Sequence, residues 1–277
     1  NISKFDVIGG RVYARPLAFM GESIFGKLQL GVTSVFDRDP LLYTGSPYQT
    51  LATKLIYVVG ADITLPLIQS PAFSLIPFGE GAYEMNKAMG AIAGIRGRAF
   101  GLVSYRAQFR YLQDGFIPSY FDANYDIYRA DRFVFIETNP AKNNFIPGWL
   151  ASLGFDLFKS SLSFGVTLDA PFRELPTTAT DNPADYPHVK GSLSLGRGLI
   201  PNVDITARYE KLFLGKKSND VIKDLIDLED SYIGMTVSYK AGTAVVSMDY
   251  AYIWNPTKNS GKGAFDVVSS LSVGFEL

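Results

Sequence analysis

The chain of 277 residues contains no cysteine and one histidine, His188. Without thiols there are no disulfide staples and no thiolate chemistry, although such a composition suits an oxidising compartment as well as a reducing one. A single histidine excludes a histidine-rich metal site. Long apolar runs are missing too. The longest uncharged stretch, Ile63 to Gly79, is broken by Pro66, Pro71 and Pro77, whereas a spanning helix takes about 20 mostly apolar residues. Basic clusters are also absent: 26 Lys and Arg are scattered along the chain against 27 Asp and Glu, for a net charge of −1. That lacks the electrostatic footprint of a nucleic-acid binder. Nothing near Asn1 has the form of a signal peptide, so an exported protein is expected to be met here as its mature form or a fragment.

What is present is alternation. From Phe265 every second residue reads Phe265, Val267, Ser269, Leu271, Val273, Phe275, Leu277, and the set between reads Asp266, Val268, Ser270, Ser272, Gly274, Glu276. A period of two marks a strand, one face oily and the other small and polar. The same pattern returns at Leu28–Asp37, Leu55–Leu65, Val103–Tyr111, Ser161–Asp169, Val203–Glu210 and Ala244–Trp254. Weaker strand candidates lie near Asp6–Arg15, Phe73–Tyr83, Ala88–Ile95, Trp149–Phe158, Val189–Gly196 and Tyr232–Tyr239. Tight turns at Lys159-Ser160, Leu199–Asn202 and Ala241-Gly242 alternate with long polar loops at Asp39–Thr53, Arg173–Pro187, Gly215–Asp230 and Asn255–Gly263. This is the rhythm of an antiparallel meander whose two ends face different surroundings.

A soluble β-sandwich alternates as well, but its outer face is rich in Lys, Glu and Arg. Here the polar face is mostly Gly, Ser, Thr and isolated charges, and the other face is Leu, Val, Phe and Tyr, with Phe36, Tyr111, Trp254 and Phe275 near strand ends. A wall with oil outside and small polar groups inside calls for lipid as solvent. In hydrocarbon each unpaired backbone polar group costs several kcal/mol, so a sheet has to close without a free edge. Strands of about 9–11 residues cross the apolar layer, a length these segments reach.

With these features the chain resembles a bacterial outer-membrane β-barrel of the porin-like kind. Leu271, Val273, Phe275 and Leu277 are similar to the terminal assembly signal of that class, with Leu277 where the pattern more often has Phe. The resemblance implies that the last strand is read by the barrel-assembly machinery and closes the ring against the first. The expected fold is thus all-β, a transmembrane antiparallel up-and-down barrel of about 14 strands, with 12 to 16 in range. It is expected to be a single domain, 1–277, with a long aromatic-rich external segment at 113–148. Twelve clear strands follow Leu28 and Asp6–Arg15 makes an odd thirteenth, so either Arg132–Glu137 adds a crossing or a strand precedes Asn1.

If the alternation holds, Asp62, Arg106, Gln108, Arg110, Asp156, Asp169, Asp204, Arg208, Glu210 and Asp249 point inward. They either line a water-filled passage whose opposed charges select small polar solutes, or pair with one another and brace the wall. The segment 116–137 is dense in aromatics and charge. Phe116, Tyr120, Phe121, Tyr125, Tyr128, Arg129 and Arg132 are expected to fold into or over the mouth as a constriction, or to pack on themselves with no ligand.

Sharper chemistry finds no support. Asp122, Asn124 and Asp126 have the spacing of a calcium-loop opening, but Ile127 replaces the required glycine and no Glu follows six residues on. Gly196-Arg-Gly198 and Gly94-Ile-Arg-Gly97 precede no helix and make no phosphate cradle. His188 has only Ser192 and Ser194 near it in sequence, so an enzyme is not expected, nor any cofactor or metal. Residues 218–230 form a candidate short helix, with Val221, Ile222, Leu225, Ile226 and Leu228 on one side, expected to cap the barrel. The functional expectation is an outer-membrane channel for passive diffusion of small polar solutes. One alternative is a non-transporting surface barrel acting in adhesion or envelope assembly, with other envelope proteins as partners. Another is a transporter of hydrophobic compounds, for which Asn1–Phe5 is too short a plug.

Overall fold

The computed structural model describes residues 6–41, 51–122, 125–158, 161–178, 183–196, 198–255 and 258–275. Its strands are β1 (Val7–Ala14), β2 (Gln29–Asp37), β3 (Ile56–Thr64), β4 (Ile68–Gln69), β5 (Phe73–Glu84), β6 (Met89–Ala99), β7 (Val103–Gln113), β8 (Phe145–Leu157), β9 (Leu162–Pro171), β10 (His188–Leu195), β11 (Val203–Lys211), β12 (Ser231–Ala241), β13 (Ala244–Asn255) and β14 (Ala264–Phe275). The α-helices among the described residues are α1 (Tyr125–Thr138), α2 (Val221–Ile226) and α3 (Lys258–Gly261). No helix among them is long and apolar enough to cross a membrane.

The fourteen strands form an antiparallel sheet that follows chain order from β1 to β14, except that two-residue β4 pairs beside β5 and lies off the path. Every segment read as a strand from its alternation, strong or weak, is a strand. The exception is Arg132–Glu137, which is helical and adds no crossing. Its Phe133 and Ile136 sit on the same side as Tyr125 and Arg129, a spacing of 4, 4 and 3 that suits a helix and defeats a strand. Thirteen strands therefore make up the path. The Lys159-Ser160 turn falls outside the described residues.

On most strands between β2 and β13 the two faces have opposite environments, and the oily one is open, whereas β1, and β14 from Val267 to Gly274, are exposed on both faces. On β13, Val246, Met248, Tyr250 and Tyr252 are exposed while Ser247 and Asp249 are half-buried and Ala251 is buried. On β8, Leu153, Phe155 and Leu157 are exposed, with Ser152, Gly154 and Asp156 turned the other way. On β7 it is Ala107, Phe109 and Tyr111 against Arg106, Gln108 and Arg110. Leu30, Phe109 and Val246 are 43%, 48% and 36% exposed.

The chain divides into two compact units. The first comprises Asn1–Gln69, Ser74–Arg96 and Gln108–Gly148. Its core gathers Ile56, Tyr120, Tyr125, Phe133 and Ile136, flanked by Val58, Met85, Ile117, Phe121 and Val134. Ile56 and Val58 occupy the same face of β3 as Asp62, so the polar face of that strand turns apolar at its start, where α1 packs.

The second unit comprises Ser70–Phe73, Gly97–Ala107 and Trp149–Leu277. Its loops before β10 and after β11 are tied together. The Leu214 N–H donates to the Pro187 carbonyl at 3.1 Å, and the Tyr186 and Phe213 rings meet edge to face at 5.7 Å. The candidate helix within 218–230 is α2, and its apolar residues are exposed while its acid is buried. Asp224 accepts the N–H groups of Gly215 and Lys217 at 2.9 and 3.1 Å and the Ser218 hydroxyl at 2.5 Å. Satisfying three loop donors with one carboxylate fixes which side of the helix turns in.

Candidate functional site

In the first unit, α1 is held on the polar face of the strands by a buried ion cluster. The Arg129 guanidinium donates through Nε and Nη2 to the two carboxylate oxygens of Asp37, each at 2.5 Å, and through Nη1 to Asp6 at 2.8 Å. The Tyr125 hydroxyl donates to the same Asp37 carboxylate at 2.5 Å. Asp37 is fully buried and Arg129 nearly so. Period two explains the encounter, because Asp37 ends the face of β2 that carries Gly31, Thr33 and Val35. Burial pulls the Arg129 pKa down, but its bonds to Asp37 and Asp6 outweigh that and raise it overall. Asp6 is held below the ordinary carboxylate range, chiefly by its bond from Arg129. Burial raises the Tyr125 phenol, and donation to Asp37 adds to the rise.

A second anchor holds the segment leading into the helix. Arg132 grips both carboxylate oxygens of Asp122 at 3.0 and 2.9 Å and donates to the Tyr120 carbonyl. The Ile117 N–H donates to Glu84, buried at the end of β5, at 3.1 Å to each oxygen. The Phe116 ring sits against Gly90 of β6. A Cβ added at Gly90 would stand 2.7 Å from the ring, so the close approach depends on glycine. At the far end of α1, Lys54 pairs with Glu137.

The expected constriction residues are therefore brought together, but as a helix and its lead-in rather than as an open loop. Tyr120, Phe121 and Tyr125 stack among themselves with ring centroids 4.6 to 5.6 Å apart. This is the self-packed arrangement. The Tyr128 side chain lies outside the described residues.

The residues expected to line a passage all fall on the polar face of their strands, and many pair with neighbours along the sheet. In the first unit Asp62 of β3 meets Arg11 of β1 at 2.8 Å, across the intervening β2. The pair passes over Gly31, where a Cβ would stand 2.5 Å from the Asp62 carboxylate and 2.7 Å from the Arg11 guanidinium. Gln108 is buried, and Arg110 is half-buried on the same face.

In the second unit Asp156 accepts from Arg98 and from Ser163, both at 2.8 Å. Asp169 lies opposite His188 in register, 3.2 Å from Nδ1, while Glu210 lies 3.0 Å from Nε2 and 2.9 Å from the Lys190 ammonium. Asp249 accepts from Thr236 at 2.6 Å and Ser270 at 3.3 Å. Arg208 bonds the Tyr232 phenol, and Asp204 and Arg106 share the half-buried polar face of their strands. His188 is thus flanked by carboxylates at both ring nitrogens, and neither Ser192 nor Ser194 enters that set.

Sequence reading missed Asp6, Asp37, Glu84, Arg11 and Lys190. Asp37 and Glu84 had a usable signal, a charge closing the polar face of an alternating segment. Asp6 had none, because within Asp6–Arg15 it shares the parity of Ile8 and Val12 rather than that of Arg11. Of the terminal signal, Leu271 and Val273 are exposed, opposite Met248 and Val246 in register, and Phe275 is opposite Ala244. Leu277 lies outside the described residues.

No family model matches the chain, and no match was found among curated proteins.

Proposed function

We propose that the sheet closes on itself in a bacterial outer membrane as a β-barrel and acts as a channel for small polar solutes, with α1 narrowing the passage. The observation that carries this reading is the inverted alternation: most strands between β2 and β13 leave the oily face open and cover the polar one. Burying a Val, Leu or Phe side chain is worth about 1.5–3 kcal/mol, so a sheet with this many exposed ones is at rest only against an apolar medium. Aromatic pairs on that face near the loop-bearing strand ends fit a membrane-interface belt. In one unit Tyr111 stacks on Phe145 at 4.7 Å, and in the other Trp254 meets Phe265 at 5.4 Å.

Closure removes the strand edges that lipid cannot solvate. Thirteen is an odd path, and an up-and-down antiparallel ring takes an even number. The ring therefore needs either one parallel seam or one further strand. The terminal alternation at Leu271, Val273 and Phe275 supports delivery by the barrel-assembly machinery.

A second reading, the non-transporting surface barrel, is favoured by one specific observation. The Arg129 cluster fixes α1 through buried charges, and the wall acids pair with neighbouring strands. One experiment separates the two. The purified protein is refolded into detergent, checked for heat-modifiable migration on a denaturing gel, and added to planar bilayers. Stepwise conductance is the expected result. Heat-modifiable protein that inserts silently overturns the channel and leaves the surface barrel, and absence of heat modification overturns both.

A further inference from the structure

Helix α2 lies on the oily flank of the sheet, not over its polar face. Tyr209 and Lys211 of β11 share the face of Ala207, on the side where Met235 and Tyr239 of β12 are exposed. The Tyr209 hydroxyl donates to the Leu225 carbonyl at 3.1 Å, and the Lys211 ammonium donates to the carbonyls of Asp227 and Glu229. Val189, Lys211 and Ser231 stand side by side in register on β10, β11 and β12, and all three are buried on that otherwise open face. The loop accounts for it, since the Ser231 hydroxyl also donates to the Leu228 carbonyl. With Asp224 turned inward, Ile222 and Ile226 project outward at 77% and 83% exposed, beside exposed Val221, Leu225 and Leu228.

Resting on the membrane reading above, we infer that α2 is an interfacial foot: Ile222, Ile226 and Leu228 enter the acyl chains of the leaflet next to the loop-bearing strand ends. The occupant follows from continuity. The patch extends the same face that the strands present to lipid, and it is tied to that face through Tyr209 and Lys211. A short helix with one apolar side and its polar groups tied back to the protein matches the chemistry of an interfacial segment. Its charged groups are paired, Lys217 with Asp227 and Glu229 and the exposed Lys223 with Asp220 at 3.5 Å.

The test uses the absence of cysteine, which lets single nitroxide labels be placed without background. Ile226→Cys, Val246→Cys and Ser247→Cys are labelled separately, reconstituted in phosphatidylcholine vesicles, and read by collision with oxygen, enriched in lipid, and with a water-soluble nickel chelate. The expected result is a several-fold preference for oxygen at positions 226 and 246 and the reverse at 247. Nickel preference at 226 with oxygen preference at 246 overturns the foot and leaves the membrane reading standing. Shielding of 226 from both reagents, with 246 in lipid, also overturns it and points to a protein partner. Nickel preference at 246 overturns the membrane reading and the foot together. Ile222→Ser is the second variant. It keeps the fold, read by gel migration, and lowers the oxygen preference of a label at 226.

Discussion

Arg129 of α1 and Asp37 of β2 meet end on, with two guanidinium nitrogens on two carboxylate oxygens, both side chains buried and 92 residues apart in the chain. The pair joins a helix from one long loop to the last residue of a strand before another.

Replacing Arg129 by Met leaves Asp37 buried without its charge partner, a loss of about 3–5 kcal/mol for a broken buried pair. Urea denaturation is expected to report that loss. Limited proteolysis should cut between residues 114 and 144 at protease levels that spare the parent. Asp37→Asn added to Arg129→Met recovers part of the loss, because the orphaned charge is gone. In the proposed channel the single variant also raises conductance.

Gly31→Ala is expected to destabilise although alanine is ordinarily the better strand residue. Its Cβ would press into the Arg11–Asp62 pair that crosses the site. Both groups are the free ends of flexible side chains and Arg11 is half exposed, so they can swing aside and the cost is up to about 1 kcal/mol, the worth of a partly exposed ion pair. Gly10→Ala on β1 is the control, with nothing within 4 Å of the added carbon. It should be neutral or slightly stabilising. Heat-induced loss of the folded gel band measures both.

Arg106 and Arg110 share the polar face of β7 with Gln108. Changing both arginines to Glu is expected to move the reversal potential of the proposed channel towards cations under a salt gradient. An unchanged potential with intact conductance would place both side chains in wall pairs, away from the ion path.

The loop carrying α2 should keep its shape across neutral pH and loosen in acid. Lys217 holds Asp227 at 2.7 Å and Glu229 at 2.8 Å. The bond from Lys217 and the Glu229 N–H hold Asp227 below the usual carboxylate range. The Asp227 contribution is therefore present above the unfolded value and lost as pH falls through the lower folded one. Lys217 is raised by the same partners. Its contribution is present below the unfolded lysine value and fades only as pH climbs past the raised one. A nitroxide at Lys223→Cys is expected to hold one mobility from about pH 5 to pH 9 and to gain motion below about pH 4.

Strand by strand, the fold was legible because period two is a local property. Val246, Ser247 and Met248 declare their faces from sequence alone, and their exposures follow the alternation. The helix at 125–138 was not legible as such. Its aromatics and charges read equally well as a loop, and the apolar start of β3 at Ile56 and Val58 resembles any other strand end. The side of α2 that turns in was not legible for a related reason. Its apolar residues mark one side but not where it faces, and Asp224 turns in because it meets three donors in the loop around Gly215.

The sequence by itself determined the all-β architecture, the strand positions and which side chains share a face, because a pleated backbone sends neighbours to opposite sides whatever surrounds it. The tertiary structure alone decided the partners: Arg129 with Asp37 and Asp6, Arg11 with Asp62 over Gly31, and Asp224 with its loop donors. The first two sets join residues 51 to 123 apart in the chain, the third closes within a single loop, and in each the strength comes from desolvation and geometry that exist only in the folded chain.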